Sequence, residues 1–217
     1  MEMATLSSPP LYSDAKIICN KEDVVLLKDE RRENGNNNNS YRIIFNAHNP
    51  NFPIHSIVGL KLYTLLYELN RDIINTFKVV NETETTIETV TLFKQFGKDF
   101  GIAPKAMHTV STIQRLESGT ACTFDSVDVI DGANEINHIH IPKKYERIQS
   151  THSKLIVYFL SANDLQFDFT FELSDDDSSE GEEGETSRRG PIYLENSVAL
   201  MIKKMFCRLK GFTERMA

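Results

Sequence analysis

The chain has 217 residues, 40% of them apolar and 13 of them Phe, which is enough for one well-filled core; 25% charged residues with only 10 Gly and 7 Pro exclude a disordered or fibrous class. No run of 18 apolar residues occurs, and residues 1–13 lack a basic region followed by an apolar stretch, so neither a membrane span nor a signal peptide is expected. The net charge of −7 is accounted for by one segment, so it does not by itself exclude anionic partners.

Residues 1–15 read as an extended, mobile leader. Residues 15–28 contain Ile17 and Ile18 and then the run Val24 to Leu27, which predicts a first strand or strand pair. Residues 29–40 (DERRENGNNNNS) read as a disordered loop. Residues 41–45 predict a strand, ended by Asn49-Pro50-Asn51-Phe52-Pro53. From 55 to 77, Ile57, Leu60, Leu65, Leu69, Ile73 and Phe77 keep a helical period, with Val58, Leu62, Leu66 and Ile74 widening the stripe, so one long central helix is expected. Residues 84–93 are rich in Thr, Val and Ile and predict a strand. Residues 94–116 are hard to class, with a helical turn or two expected over 103–115. Strands are expected again at 121–130 and 136–141, broken at Asp131-Gly132.

Residues 154–160 and 165–173 predict a hairpin around Ser161-Ala162-Asn163-Asp164. Its second strand alternates Leu165, Phe167, Phe169, Phe171 and Leu173 against polar residues, and these five are the strongest core candidates. Their burial would contribute on the order of 10 kcal/mol before entropy is subtracted. Residues 174–190 read as a second disordered loop, carrying Asp175, Asp176, Asp177, Glu180, Glu182, Glu183 and Glu185. Residues 193–210 then place Leu194, Val198, Met201, Ile202, Met205 and Leu209 at helical spacing, with Gly211 as the expected stop. The fold class expected is α+β: a single domain over 16–217, mostly antiparallel sheet, packed by the long central helix and a C-terminal amphipathic helix.

Cys19, Cys122 and Cys207 are odd in number and lack paired spacing, as expected of reduced thiols in a cytosolic or nuclear protein. His138 and His140 share a strand face without further ligands in local spacing, so no metal is expected. No phosphate-binding glycine loop, nucleophile elbow or Cys-His pairing is present; the chain reads as a binding protein without catalytic residues or cofactor. Pro9-Pro10-Leu11-Tyr12 is a PPxY motif, a pre-formed polyproline turn that suits WW-domain grooves. Ser174 and Ser179 each have an acid three residues on, the pattern acidophilic kinases favour. Lys203, Lys204, Arg208 and Lys210 gather late in the C-terminal helix, where core packing and the helix dipole explain them or where they contact an anionic surface. Without interleaved aromatics, no sequence-specific nucleic-acid reader is indicated.

The PPLY leader, together with Phe167-Asp168-Phe169-Thr170-Phe171 followed by Ser174-Asp175-Asp176-Asp177, resembles the matrix proteins of animal rhabdoviruses, the vesiculovirus type in particular. The likeness is carried by 15 to 20 residues, roughly, and this leader has only Lys16 where such proteins have a Lys-rich stretch. The resemblance implies a virion protein that self-associates, links the viral nucleocapsid to the inner face of host membranes, and recruits WW-domain ubiquitin ligases for budding, in host cytoplasm and nucleus. The alternative is a regulatory protein-binding module controlled by phosphorylation of the acidic loop.

Overall fold

Two residues at positive φ, Glu22 and Asp23, turn the chain between Ala15–Lys21 (β1) and Val24–Asp29 (β2), the geometry of a tight hairpin whose twist matches its strands. In the computed structural model, which describes residues 15–29, 39–95, 103–116, 118–129, 141–148, 152–173 and 192–217, β2 pairs next with Asn39–His48 (β3). A short helical segment leads to Ile74–Glu82 (β4), Thr86–Phe93 (β5), Lys105–Arg115 (β6) and Ala121–Asp128 (β7), in which β5 pairs antiparallel with β4, β6 with β5 and β7 with β6. Glu146–Arg147 (β8) runs parallel to β6. Ser153–Phe159 (β9) and Asp164–Leu173 (β10) form the expected hairpin.

The sheet order is β1-β2-β3-β10-β9-β7-β6-β5-β4, with β8 set on β6, so β10 joins the first three strands to the rest. One face of this sheet is the core. Phe167 stands opposite Phe45 on β3 and Val157 on β9, and the Phe45 and Phe167 rings stack at 4.5 Å. Four of the five hairpin residues named as core are buried, and Phe169 is partly so, stacked on Phe171 and tilted against Phe206. The C-terminal helix Ile192–Thr213 (α2) packs against β2, β3 and a shorter helix, burying Val198, Ala199, Met205, Phe206 and Leu209 at helical spacing.

The long central helix is not formed. Residues 55–77 divide into a 3-10 turn at Ile54–Ile57, a nine-residue helix at Leu60–Glu68 (α1), a turn, and β4. Asn70 ends the helix: its buried side-chain amide donates to the Leu66 carbonyl (2.7 Å), and its own carbonyl accepts from the Ile73 and Ile74 amides. Ile73, Ile74 and Phe77 prolong the apolar period, but Ile73 lies in the turn and Ile74 opens a strand, which suits its branching at Cβ. Residues 105–115 are a strand and not helical turns, and α2 continues through Gly211 to Thr213. Most of the 136–141 strand, the 174–190 loop and nearly all of the leader lie outside the described residues, as do His138 and His140.

Candidate functional site

α1 presents two faces. Leu62, Tyr63, Leu66 and Tyr67 are buried, while Leu60, Lys61, Thr64, Leu65 and Glu68 border a groove of about 980 Å³ that Leu62 also reaches. The opposite walls are the β4–β5 turn, the end of β6 and the end of α2. The groove has an apolar floor of Leu62, Leu65, Ile113, Phe212 and Met216 and a charged rim of Lys61, Glu68, Glu82, Glu84 and Arg115. Its walls are tied together: the Arg115 guanidinium donates to the Val58 carbonyl (3.1 Å), and the Ile113 amide to the Thr85 carbonyl (2.8 Å).

The α2 end of the groove is held by Asn49, a buried residue at the end of β3. Its Nδ2 donates to the carbonyls of Thr213 and Met216, both at 2.8 Å, and its Oδ1 accepts from the Asn51 and Phe52 amides. Two donors and two acceptors are the full capacity of a side-chain amide. One residue thereby closes the last turn of α2 and fixes the β3 exit, and Phe212 and Met216 are placed by it.

Behind Ile113, the same face of β6 carries Ser111, and a chain of hydroxyls begins there. The Tyr67 hydroxyl donates to Tyr63 (3.1 Å), Ser111 donates to Tyr63 (2.8 Å), and Ser126 on β7 sits 2.7 Å from Ser111, its cross-strand partner. Thr89 and Thr109 face each other at 3.3 Å on β5 and β6. Burial, reinforced by Tyr63 alongside, pushes the Tyr67 phenol well above the ordinary tyrosine value, so that phenol is neutral at physiological pH. Sequence reasoning missed all of these residues. The signal available was the repeat of Thr109, Ser111 and Ile113 at every second position, matched by Thr89 and Thr91.

The four cations of α2 do not form one surface. Lys203 is only 4% exposed, its Nζ donating to the Lys21 carbonyl (3.1 Å) and lying 3.7 Å from the Cys207 sulfur. Lys204 and Arg208 both bind Asp72, Arg208 also reaches Asn70, and Lys210 pairs with Glu214 at 2.7 Å. The Arg208 guanidinium, helped by Lys204, holds the Asp72 carboxyl far below the usual carboxylate range. Pro9, Pro10, Leu11, Tyr12, Ser174 and Ser179 lie outside the described residues. Among the described residues no group of three or more His, Cys, Asp or Glu could hold a metal.

No family model and no curated protein matches the sequence. Solved structures do match in fold. The lipid transfer and protein localization domain of human StarD13 (DLC2) aligns over 93% of this chain and 90% of its own, with TM-score 0.62 and 11% identity. The STAR-related lipid transfer protein fragment from Xanthomonas axonopodis aligns over 93% of this chain and 99% of its own (TM-score 0.63, 11% identity), and human StAR-related lipid transfer protein 5 over 94% and 88% (0.62, 13%). At these identities the likeness is one of fold, the helix-grip fold of START-related domains. That finding overturns the rhabdovirus resemblance, which rested on a short strand and its flanks. The matrix role, the budding function, the nucleocapsid and WW-ligase partners, and the phospho-regulated module are withdrawn with it. Phe167 to Phe171 form a central strand of this fold, and their alternation reflects a grip interior.

Proposed function

We propose that the protein binds a single lipid molecule between α1, the β4–β5 turn and the end of α2, as a carrier rather than an enzyme. The observation that carries this reading is the apolar-floored groove at one end of a helix-grip fold. Its volume of about 980 Å³ is at the upper end of small-molecule sites, which span roughly 300–1,000 Å³. An apolar floor removes a hydrocarbon tail from water, and the charged rim keeps the mouth wet. The solved domains of similar fold are named for lipid transfer. The three His–carboxylate pairs among the described residues, Glu88–His108, Asp125–His152 and His48–Asp164, do not line the groove.

Titration with a fluorescent fatty-acid analogue tests this. The wild type is expected to saturate at one probe per chain, and Leu65→Trp and Met216→Trp, which place an indole in the groove, to lose most of that affinity while melting as the wild type does. Absence of saturable binding, or undiminished binding by both variants, would overturn the reading.

A further inference from the structure

The groove rim carries both signs of charge, in Lys61, Glu68, Glu82, Glu84 and Arg115. None of the five has an ion-pair partner among the described residues, although ion pairs form elsewhere on the chain. The signs are separated along the groove. The Arg115 guanidinium is turned toward the start of α1, where it donates to the Val58 carbonyl (3.1 Å), and Lys61 follows Val58 by three residues. One carbonyl occupies one of the five N–H donors of a guanidinium, so Arg115 is held in place with most of its donors unspent. Glu82 and Glu84 flank Thr83 on the opposite wall, in a turn tightened by the Thr85 and Thr86 amides, which both donate to the Thr83 hydroxyl. Glu68 lies further off, seven residues along α1 from Lys61, about 10 Å of helix axis. The Ile113 amide donates to the Thr85 carbonyl, which sets Glu84 and Arg115 on adjacent strand ends. Arg115 is nevertheless spent on a backbone carbonyl, and the carboxylates beside it are left open.

We propose that the groove takes a lipid with a zwitterionic head, its anionic group held by Arg115 and Lys61 and its ammonium group by Glu82 and Glu84, while the hydrocarbon lies over Leu65, Ile113, Phe212 and Met216. The proposal rests on the carrier reading and names the class of lipid. A planar guanidinium grips phosphate oxygens in pairs, and two carboxylates compensate an ammonium. A purely anionic head meets the like charges of the β4–β5 turn, and a purely cationic head meets those of Arg115 and Lys61; a head carrying both signs finds a partner on each wall.

The test is displacement of diphenylhexatriene from the full chain by three amphiphiles of equal chain length, dodecylphosphocholine, dodecyl phosphate and dodecyltrimethylammonium, each below its micelle concentration. In the wild type the phosphocholine is expected to compete about tenfold better than either singly charged head, the effect of one charge-assisted contact. Glu82→Gln with Glu84→Gln should remove its advantage over dodecyl phosphate, and Arg115→Met should remove its advantage over dodecyltrimethylammonium. Lys61→Met should act in the same direction as Arg115→Met, and it serves where loss of the Val58 bond unfolds the chain. If a singly charged head competes as well as the phosphocholine in the wild type, or if the folded variants shift all three amphiphiles alike, the zwitterionic assignment is wrong while the carrier reading stands. If none of the three displaces the probe, or the probe finds no saturable site, the carrier reading fails and this assignment falls with it.

Discussion

Replacing Asn49 by Ala removes four hydrogen bonds at once: two to the closing carbonyls of α2 and two from the amides that follow β3. At about 1 kcal/mol net for each, the loss would be about 4 kcal/mol if no group found another partner. Thr213 is fully buried, so its carbonyl has no recourse to water, whereas Met216 is half-buried and its carbonyl recovers part of the loss. The expected destabilisation is therefore about 3 kcal/mol by urea unfolding, or a fall in Tm of roughly 6–12 °C for a chain of this size. Asn49→Asp sharpens the test. It keeps both acceptor roles but aims a negative charge at two carbonyl oxygens, so at neutral pH it should cost at least as much as Ala. Such a carboxyl titrates above its ordinary range in the folded state, so its penalty is present above that folded pKa and is relieved as pH falls through it. A loss below about 1 kcal/mol for Asn49→Ala, or an Asn49→Asp variant as stable as the wild type at neutral pH, would refute the assignment of Asn49 as the clamp on the end of α2.

Other outcomes follow from the same structure. Asp168→Ala should destabilise by about 3–5 kcal/mol, measured by urea unfolding, because it strips the carboxylate from Arg42 in a bidentate pair at 2.7 and 2.5 Å whose side chains are largely buried; replacing both partners with apolar residues should cost less. Phe167→Ala should cost about 3–5 kcal/mol, since its ring is fully buried against Phe45. Asp72 titrates lower in the folded protein than in the unfolded chain, so its contribution is present above the ordinary carboxylate range and is lost as pH falls below it. Asp72→Asn should accordingly be less stable than wild type at pH 7, with the gap closing in strong acid; an unchanged gap at both pH values would contradict the Asp72–Arg208 pairing.

The β9–β10 hairpin was legible because its inner residues are Leu and Phe and its outer ones polar, so alternation and burial coincide. β6 was not, for the opposite reason. Its inner face is Met107, Thr109, Ser111 and Ile113, and hydroxyls in a core make a strand look unpatterned. The break between α1 and β4 was hidden by Ile73, Ile74 and Phe77, which continue a helical period by coincidence; the stop at Asn70 is secured by Arg208, 138 residues away, and no local pattern records that. Asn49 was read correctly as part of a strand-ending turn, but its bond to Thr213 spans 164 residues. The cations of α2 read as one basic patch because a sequence does not show that Lys203 is buried or that Asp72 lies opposite Arg208.

The most direct test of the carrier reading is native mass spectrometry of the delipidated full chain after incubation with phosphatidylcholine vesicles containing a neutral long-chain alcohol, followed by removal of the vesicles. A single added mass of one lipid per chain, absent from Leu65→Trp, is the result expected. A chain that emerges at its bare mass, or one that carries the lipid equally well with the groove filled, would contradict it.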